Sequence, residues 1–315
     1  VAHELQLGQA SVLAVWTLLL TGAVALSYAV LEKRLASPVH VNPVLRRRPT
    51  SAGQWLALAS ALLVLFVVCA LPVLAVVWRA ALLGPQAWWQ VLDGEALAAL
   101  GNTLRFSALA LVLATVLGVL HAMAAQASVW WRAAAFLPFV VSPVTVAFGL
   151  LLMYPSLTAS LSLMLAAYAV LAYPFVAKSL SAGLASLPAH VHQAARTLGA
   201  TPWRCFFRVT LPLLGPALRR GMAFAAATAL GEFAVTLFLS RPEWTTLTTL
   251  VYQRLGRPGA ANLDAAMVLS CVLMLLALLA FVLIEWPSTD DAQPQARSHA
   301  VGGLFDSKSV RPEHA

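Results

Sequence analysis

Apolar residues run in long, nearly uninterrupted blocks along this chain, with short polar segments between them. Strict apolar–polar alternation, the mark of a half-buried strand, does not organise these blocks. A helix needs roughly 20 apolar residues to cross about 30 Å of hydrocarbon. Seven stretches meet or approach that length, at about 11–31, 55–78, 98–120, 132–153, 158–177, 219–239 and 262–284. The pattern predicts an all-α integral membrane protein. Only YPSLTAS (154–160) separates the fourth and fifth blocks, so their boundary is soft. Tyr173-Pro174 should kink or locally end the fifth.

The first block stands apart. A polar, basic linker over 32–54 follows it, in which Pro38, Pro43 and Pro49 forbid one continuous helix. Short connections join the six later blocks. The predicted architecture is one extra N-terminal helix (1–31), a linker (32–54), a six-helix bundle (55–285) and a disordered polar tail (286–315).

Composition fits a bilayer. Of the 315 residues, 61% are hydrophobic and 10% charged, where a soluble domain carries about 25% charged residues. The net charge of +8 follows from topology. With the tail after Ile284 on the cytoplasmic side, fifteen Lys and Arg residues fall in cytoplasmic segments and four outside, leaving Arg105 within a span. That bias is the positive-inside rule, and nucleic-acid binding is not expected. Cys69, Cys205 and Cys271 have no metal or disulfide spacing. The chain begins at Val1 and its first ten residues lack a basic n-region. No signal peptide is expected, and a missing upstream portion is.

Between the fifth and sixth blocks lies a segment (186–216) rich in charges and helix breakers. Ser186 is a candidate N-cap with Pro188 in the first turn. Leu187, Val191, Ala194, Ala195 and Leu198 fall on one helical face. Gly199 supplies a left-handed stop, Thr201-Pro202 restarts a helix, and Leu211-Pro212 ends it. Trp203, Phe206 and Phe207 give the second helix large apolar contacts. The result is a pair of short helices at the membrane surface, rimmed by Arg196, Arg204 and Arg208.

The spacing Gln193-Ala194-Ala195, Gly199, Val209, Leu211-Pro212 resembles the cytoplasmic loop of the permease subunits of binding-protein-dependent ABC importers. GNTLRFSALA (101–110), FLPFVVSPVTVAFGL (136–150) and ALGEFAVTLFL (229–239) are similar to core helices of that family. The details of 229–284 look most like the fused permeases for ferric iron and thiamine, of which this chain would be the second half plus the last helix of a missing first half. The resemblance implies a multi-pass bacterial inner-membrane protein with a cytoplasmic C-terminus. It is expected to be a non-catalytic subunit without a cofactor. Implied partners are a cytoplasmic ABC ATPase dimer, an extracytoplasmic solute-binding protein, and a second permease half or a homodimer partner. In this family the hairpin is a coupling helix seated on the ATPase. Glu is usual where this chain has Gln193; an amide keeps a hydrogen bond but loses the charge.

Intramembrane polar residues are the candidates for a translocation path. Glu232 either pairs with a neighbouring helix or Arg105, or lines the path; Gly231 beside it permits close helix approach. Asn102, Thr103 and Ser107 are polar glue or path lining, and Ser142-Pro143 with Thr145 can interrupt a helix in mid-span. Arg241, Glu243, Arg254 and Arg257 are candidate docking charges for the solute-binding protein. Against an enzyme stand the missing H-E-x-x-H, G-x-S-x-G and phosphate-loop motifs. His190 and His192 diverge on a helix, so no metal site is expected. A passive channel or membrane scaffold is the alternative, though neither needs the 193–212 hairpin.

Overall fold

The computed structural model describes residues 49–285 except 136, 137, 139, 140 and 159, together with several helical positions between 12 and 31. The linker positions before 49, the tail 286–315 and part of 136–150 therefore lie outside the described residues. Among the described residues, all regular structure is helical.

Helix α1 (Ala52–Leu82) starts at Ser51, whose hydroxyl accepts from Gln54 N, while the Gln54 side chain reaches back to Thr50 N. This is close to a capping box. A short α2 (Gly84–Val91) leads to α3 (Gly94–Ala127), capped by Asp93, which accepts from Ala96 N at 2.8 Å. Next come α4 (Val129–Ala134), α5 (Pro143–Met153) and α6 (Leu161–Ser186). The surface hairpin is α7 (Ala189–Thr197) and α8, which runs from Pro202–Cys205 through Phe206–Thr210 to Leu211–Leu213. Helix α9 (Gly215–Leu230), half-helix α10 (Ala234–Leu239), α11 (Leu247–Leu255) and α12 (Ala260–Glu285) complete the chain.

Helix α6 is the axis of the bundle, with α3 and α9 packed along it. Association inside a bilayer depends on close packing of small residues rather than on water exclusion, and glycines set the distances here. A Cβ on Gly118 would stand 2.5 Å from Val176 Cβ, and one on Gly221 would stand 2.8 Å from Val176 Cα. Gly183 meets Ala217 and Leu214 in the same manner at 2.9 Å. Phe106, Met164, Tyr168, Val235 and Leu239 form one core cluster, and Ala114, Ala172, Val176, Leu180 and Leu214 form the next. Helix α12 packs on α9, α11 and α1. Almost every residue of α1 remains exposed, Leu56, Leu63 and Val68 among them. Such a continuous apolar surface requires lipid or further helices around it.

Several expectations are corrected. Pro174 does not end the fifth span; α6 continues through it to Ser186. The proline is buried in the bundle, where neighbouring helices satisfy the backbone it disturbs. Ser186 is therefore the last residue of α6 and not an N-cap; its hydroxyl donates to Gly183 O, and Pro188 holds the cap position of α7. The expected span 219–239 is broken at 231–233, and 132–153 is broken before Pro143. Residues 240–261 are not a plain connection: α11 buries Leu247 and Leu250 against α3 and α12. Nor does Leu211-Pro212 stop α8, whose break comes at Leu214.

The reason is a π-turn. A proline removes the N–H to the carbonyl four residues back and crowds that carbonyl. In α8 the wider turn Phe206–Thr210 precedes the proline, and Leu211 N bonds Phe206 O instead. Helix α1 repeats the device: Phe66–Ala70 is a π-turn followed by Leu71-Pro72, with Leu71 N bonded to Phe66 O.

Candidate functional site

Two sites at opposite ends of the bundle hold the candidate residues. At one end is the hairpin. Helix α7 ends on Gly199 at φ +79°, a left-handed position that glycine adopts without penalty. Gly199 N donates to Arg196 O at 3.0 Å and Ala200 N to Ala195 O at 3.1 Å. This pair of bonds is a Schellman closure. Thr201 then caps α8, accepting from Arg204 N at 3.4 Å. The expected stop, cap and restart are thus all present.

The faces are less simple than the sequence pattern. Ala195 is buried and Leu187 and Val191 are half-buried, but Ala194 is exposed and Leu198 is 88% exposed. Spacing of four from Leu187 reaches Ala195; Leu198 is the helix cap and points away at the hairpin tip. The outer surface consequently carries the polar Gln193, the small Ala194 and, at the tip, the apolar Leu198. Val209 and Leu211 are half-buried on the returning helix, and Pro212 is exposed. A groove of about 470 Å³ lies under the hairpin, lined by Met123 and Gln126 of α3, Leu184 of α6, and Arg196, Cys205 and Phe206. The hairpin faces the ends of the two central helices across this groove, and at its base Leu214 packs in one cluster with Ala122 of α3 and Leu180 of α6.

At the other end α9 breaks, and Glu232 explains how the break is tolerated. Its carboxylate accepts from Val235 N at 3.0 Å, closing the first turn of α10. A negative group at a helix N-terminus also meets the favourable end of the dipole. The Glu232 carbonyl accepts from Thr248 Oγ1 at 2.9 Å and from Tyr168 Oη at 3.4 Å. Backbone in a bilayer must find such partners internally. The nearby threonines bond one another: Thr249 Oγ1 donates to Thr236 Oγ1 at 2.9 Å, and Thr246 lies 2.9 Å from Thr248. Arg105, one of the alternative partners of Glu232, is exposed while Glu232 is buried.

Asn102 lies in the same end of the molecule and holds the loop after α10. Its amide donates to Glu243 O at 2.9 Å and Thr245 O at 3.1 Å. Beside it, Thr103 Oγ1 accepts from Leu247 N at 2.9 Å. Ser142 and Thr145 are exposed on α5, which packs on α10 with Phe148 edge-on to Phe238. Arg254, expected as a docking charge, is bound within the chain at 2.7 Å from Glu95 and 3.9 Å from Asp93. Arg241 instead stacks 5.2 Å over the Trp244 ring. The threonine cluster escaped the sequence reading, although TTLTTL (245–250) in an apolar setting was its signal.

Removing the Glu232 cap should be measurable. Glu232→Ala leaves buried N–H groups unsatisfied, a loss of about 1–3 kcal/mol, read as a lower melting temperature in detergent. Glu232→Gln retains an acceptor oxygen and should lose less than half as much. Equal melting of the parent and Glu232→Ala would refute the capping role.

Residues 114–285 match the family described as "Binding-protein-dependent transport system inner membrane component". The chain is 37% identical over 123 residues to a molybdenum transport system permease protein of Haemophilus influenzae, covering 38% of this chain and 53% of that relative. It thus spans about half the length of that relative. It is 30% identical over 203 residues to a putative 2-aminoethylphosphonate transport system permease protein of Salmonella typhimurium, covering 62% of this chain and 76% of the relative. A crystal structure of a bacterial alginate ABC transporter, in complex with alginate pentasaccharide-bound periplasmic protein, has a similar fold, with TM-score 0.59 at 19% identity. That likeness covers 76% of this chain and 96% of the other. By the matched span and the shared fold, the chain belongs to the inner membrane component family of binding-protein-dependent transport systems.

Proposed function

We propose that this chain is the permease subunit of an ATP-driven ABC importer, one that lines the solute path and takes its power stroke from a separate ATPase. The observation carrying this reading is the hairpin closed on Gly199, with Gln193, Ala194 and Leu198 turned outward and its inner face toward the ends of α3 and α6. Small Ala194 lets a groove on another protein approach closely, Leu198 offers it an apolar contact at the tip, and the contact beneath transmits displacement to the two packed central helices. An ATPase dimer on this face, a solute-binding protein at the opposite end, and a second permease half or second copy complete the assembly. The second half also accounts for the exposed flank of α1.

For the solute, a small oxyanion fits better than the ferric iron or thiamine expected from residues 229–284. The two permease relatives are named for molybdenum and 2-aminoethylphosphonate; both solutes present oxyanionic groups. The one carboxylate of the broken span, Glu232, is turned onto backbone N–H, and hydroxyls and an interrupted helix remain at that level. Interrupted membrane helices commonly serve solute sites. We include Glu232, Asn102, Ser142 and Thr145 in the path wall, the first two as groups that shape it.

The test is affinity purification of the tagged permease from its own host. The ATPase should co-purify with the parent and be lost at Ala194→Glu, which puts a bulky charge on the outer face. Retention of the ATPase by Ala194→Glu would sink the coupling assignment. Uptake of labelled molybdate or a phosphonate, against ferric iron and thiamine, decides the solute class.

A further inference from the structure

The two arms of the hairpin expose different chemistry. Helix α7 exposes Gln193, Ala194 and Arg196 and one large apolar residue, Leu198 at its cap, whereas α8 exposes a set of large apolar ones: Trp203 is 69%, Phe207 54% and Leu213 51% exposed. Trp203 and Phe207 are stacked, with ring centroids 5.5 Å apart and planes 9° from parallel. Phe206 supports Phe207 edge-on at 5.1 Å. Arg204 and Arg208 are exposed alongside. The exposed positions recur as 201–204, 207–208 and 212–213, while Cys205, Thr210 and Leu214 are buried. The spacing changes from four to five across the π-turn Phe206–Thr210, which keeps one outward stripe despite Pro212. In a plain α-helix the third set would rotate off that stripe.

The stripe leads directly into α9, whose Arg220 pairs with Glu285 at the end of α12 at 3.7 Å. One turn beyond Arg220, a further aromatic, Phe224, is exposed on the flank of the bundle. Trp with flanking aromatics is the composition of membrane interfaces, and Arg beside it matches the negative surface of the cytoplasmic leaflet.

We propose that α8 is a lipid-docking helix: Trp203, Phe207 and Leu213 insert at the boundary of headgroups and acyl chains, and Arg204 and Arg208 bind the phosphates of anionic phospholipid. The hairpin then works as a lever with one arm for the ATPase and the other riding on the bilayer. The lipid arm rests on the chain being a membrane bundle and holds whether or not the ATPase arm does.

Nitroxide labels at Trp203→Cys, Phe207→Cys, Ala194→Cys and Leu198→Cys test it, in the full assembly after Cys69, Cys205 and Cys271 are replaced by alanine. The assembly is reconstituted in vesicles of phosphatidylcholine, and separately in equal parts phosphatidylcholine and phosphatidylglycerol. Labels at 203 and 207 should be reached by oxygen from the bilayer and shielded from a water-soluble relaxant, with or without ATPase. Labels at 194 and 198 should be water-exposed until the ATPase binds. Adding Arg204→Gln and Arg208→Gln should shift the label at 207 toward water by about fivefold per arginine, in the anionic vesicles only. The proposal is overturned if ATPase binding alone shields 203 and 207, if they stay water-exposed, or if vesicle charge makes no difference. Failure at 194 and 198 would instead strike the coupling assignment. Uncysteinised parent, followed by the loss of a quenched tryptophan signal in Trp203→Phe with brominated lipid, repeats the test without labels and must agree.

Discussion

Gly221→Leu is expected to leave no folded bundle to purify. A Cβ at 221 would lie 2.8 Å from Val176 Cα, 3.1 Å from Ser179 Cβ and 3.2 Å from Phe175 O. Two of those three atoms belong to the backbone of α6, so no side-chain rotation relieves the contact. Gly118 of α3 faces the same residue, 2.5 Å from Val176 Cβ and 2.7 Å from its Cγ1. Val176 is therefore packed tightly against glycines of two helices. Overpacking usually costs about 1–3 kcal/mol; leucine at 221 adds four carbons against backbone and should exceed that range. Gly118→Ala adds a single carbon, against Val176 Cβ and, at 3.1 Å, Ala177 N, and should fall at the upper end of it. Gly149→Ala is the control, because nothing lies within 4 Å of its Cβ position, and replacing a mid-helix glycine there should be neutral or stabilise by about 0.5–1 kcal/mol. The check is the monodisperse peak and melting temperature of each variant in one detergent. A Gly221→Leu protein that melts with the parent would disprove the close contact.

The second large effect is functional. Gly199→Val should reduce uptake at least ~tenfold, on the scale of 1.4 kcal/mol per decade, while the bundle remains folded. Position 199 sits at φ +79°, where a β-branched side chain is a strong outlier; the left-handed region costs an L-residue roughly 1–2 kcal/mol. The hairpin can escape that strain only by opening the turn, which breaks the bonds from Gly199 N and Ala200 N and changes the angle between its arms. No core residue contacts the position, so the melting temperature should hardly move. Gly199→Asn, which tolerates a left-handed backbone, should keep most of the uptake. Equal uptake by the valine and asparagine variants would show that the turn geometry does not matter for transport.

Much of the hairpin was legible because its signals are local. A glycine stop, a Thr-Pro restart and spacing of four each act within a few residues, and the structure carries all of them. The all-helical class was legible from the apolar blocks for the same reason. What failed were boundaries set by partners distant in sequence. Pro174 stays within α6 because other helices surround it. The break at 231–233 survives because its own Glu232 carboxylate caps Val235 N, while Thr248 and Tyr168 satisfy the Glu232 carbonyl. Arg254 reads as a free surface cation until Glu95, on another helix, is found beside it. Hydropathy averages over a window and is blind to such pairings. Leu198 failed differently: a helical wheel continues past the end of the helix, whereas the chain had already turned at its cap.

The two π-turns bear on how this fold tolerates evolution. Each absorbs one extra residue just ahead of a Leu-Pro pair, and the helix on either side keeps its own phase. A deletion elsewhere in α1 or α8 would swing every following side chain by about 100° and present lipid with the wrong face. A deletion inside Phe66–Ala70 or Phe206–Thr210 has slack to consume. Length differences of a single residue between homologous chains should therefore collect at these two points, as expansion joints in an otherwise rigid frame.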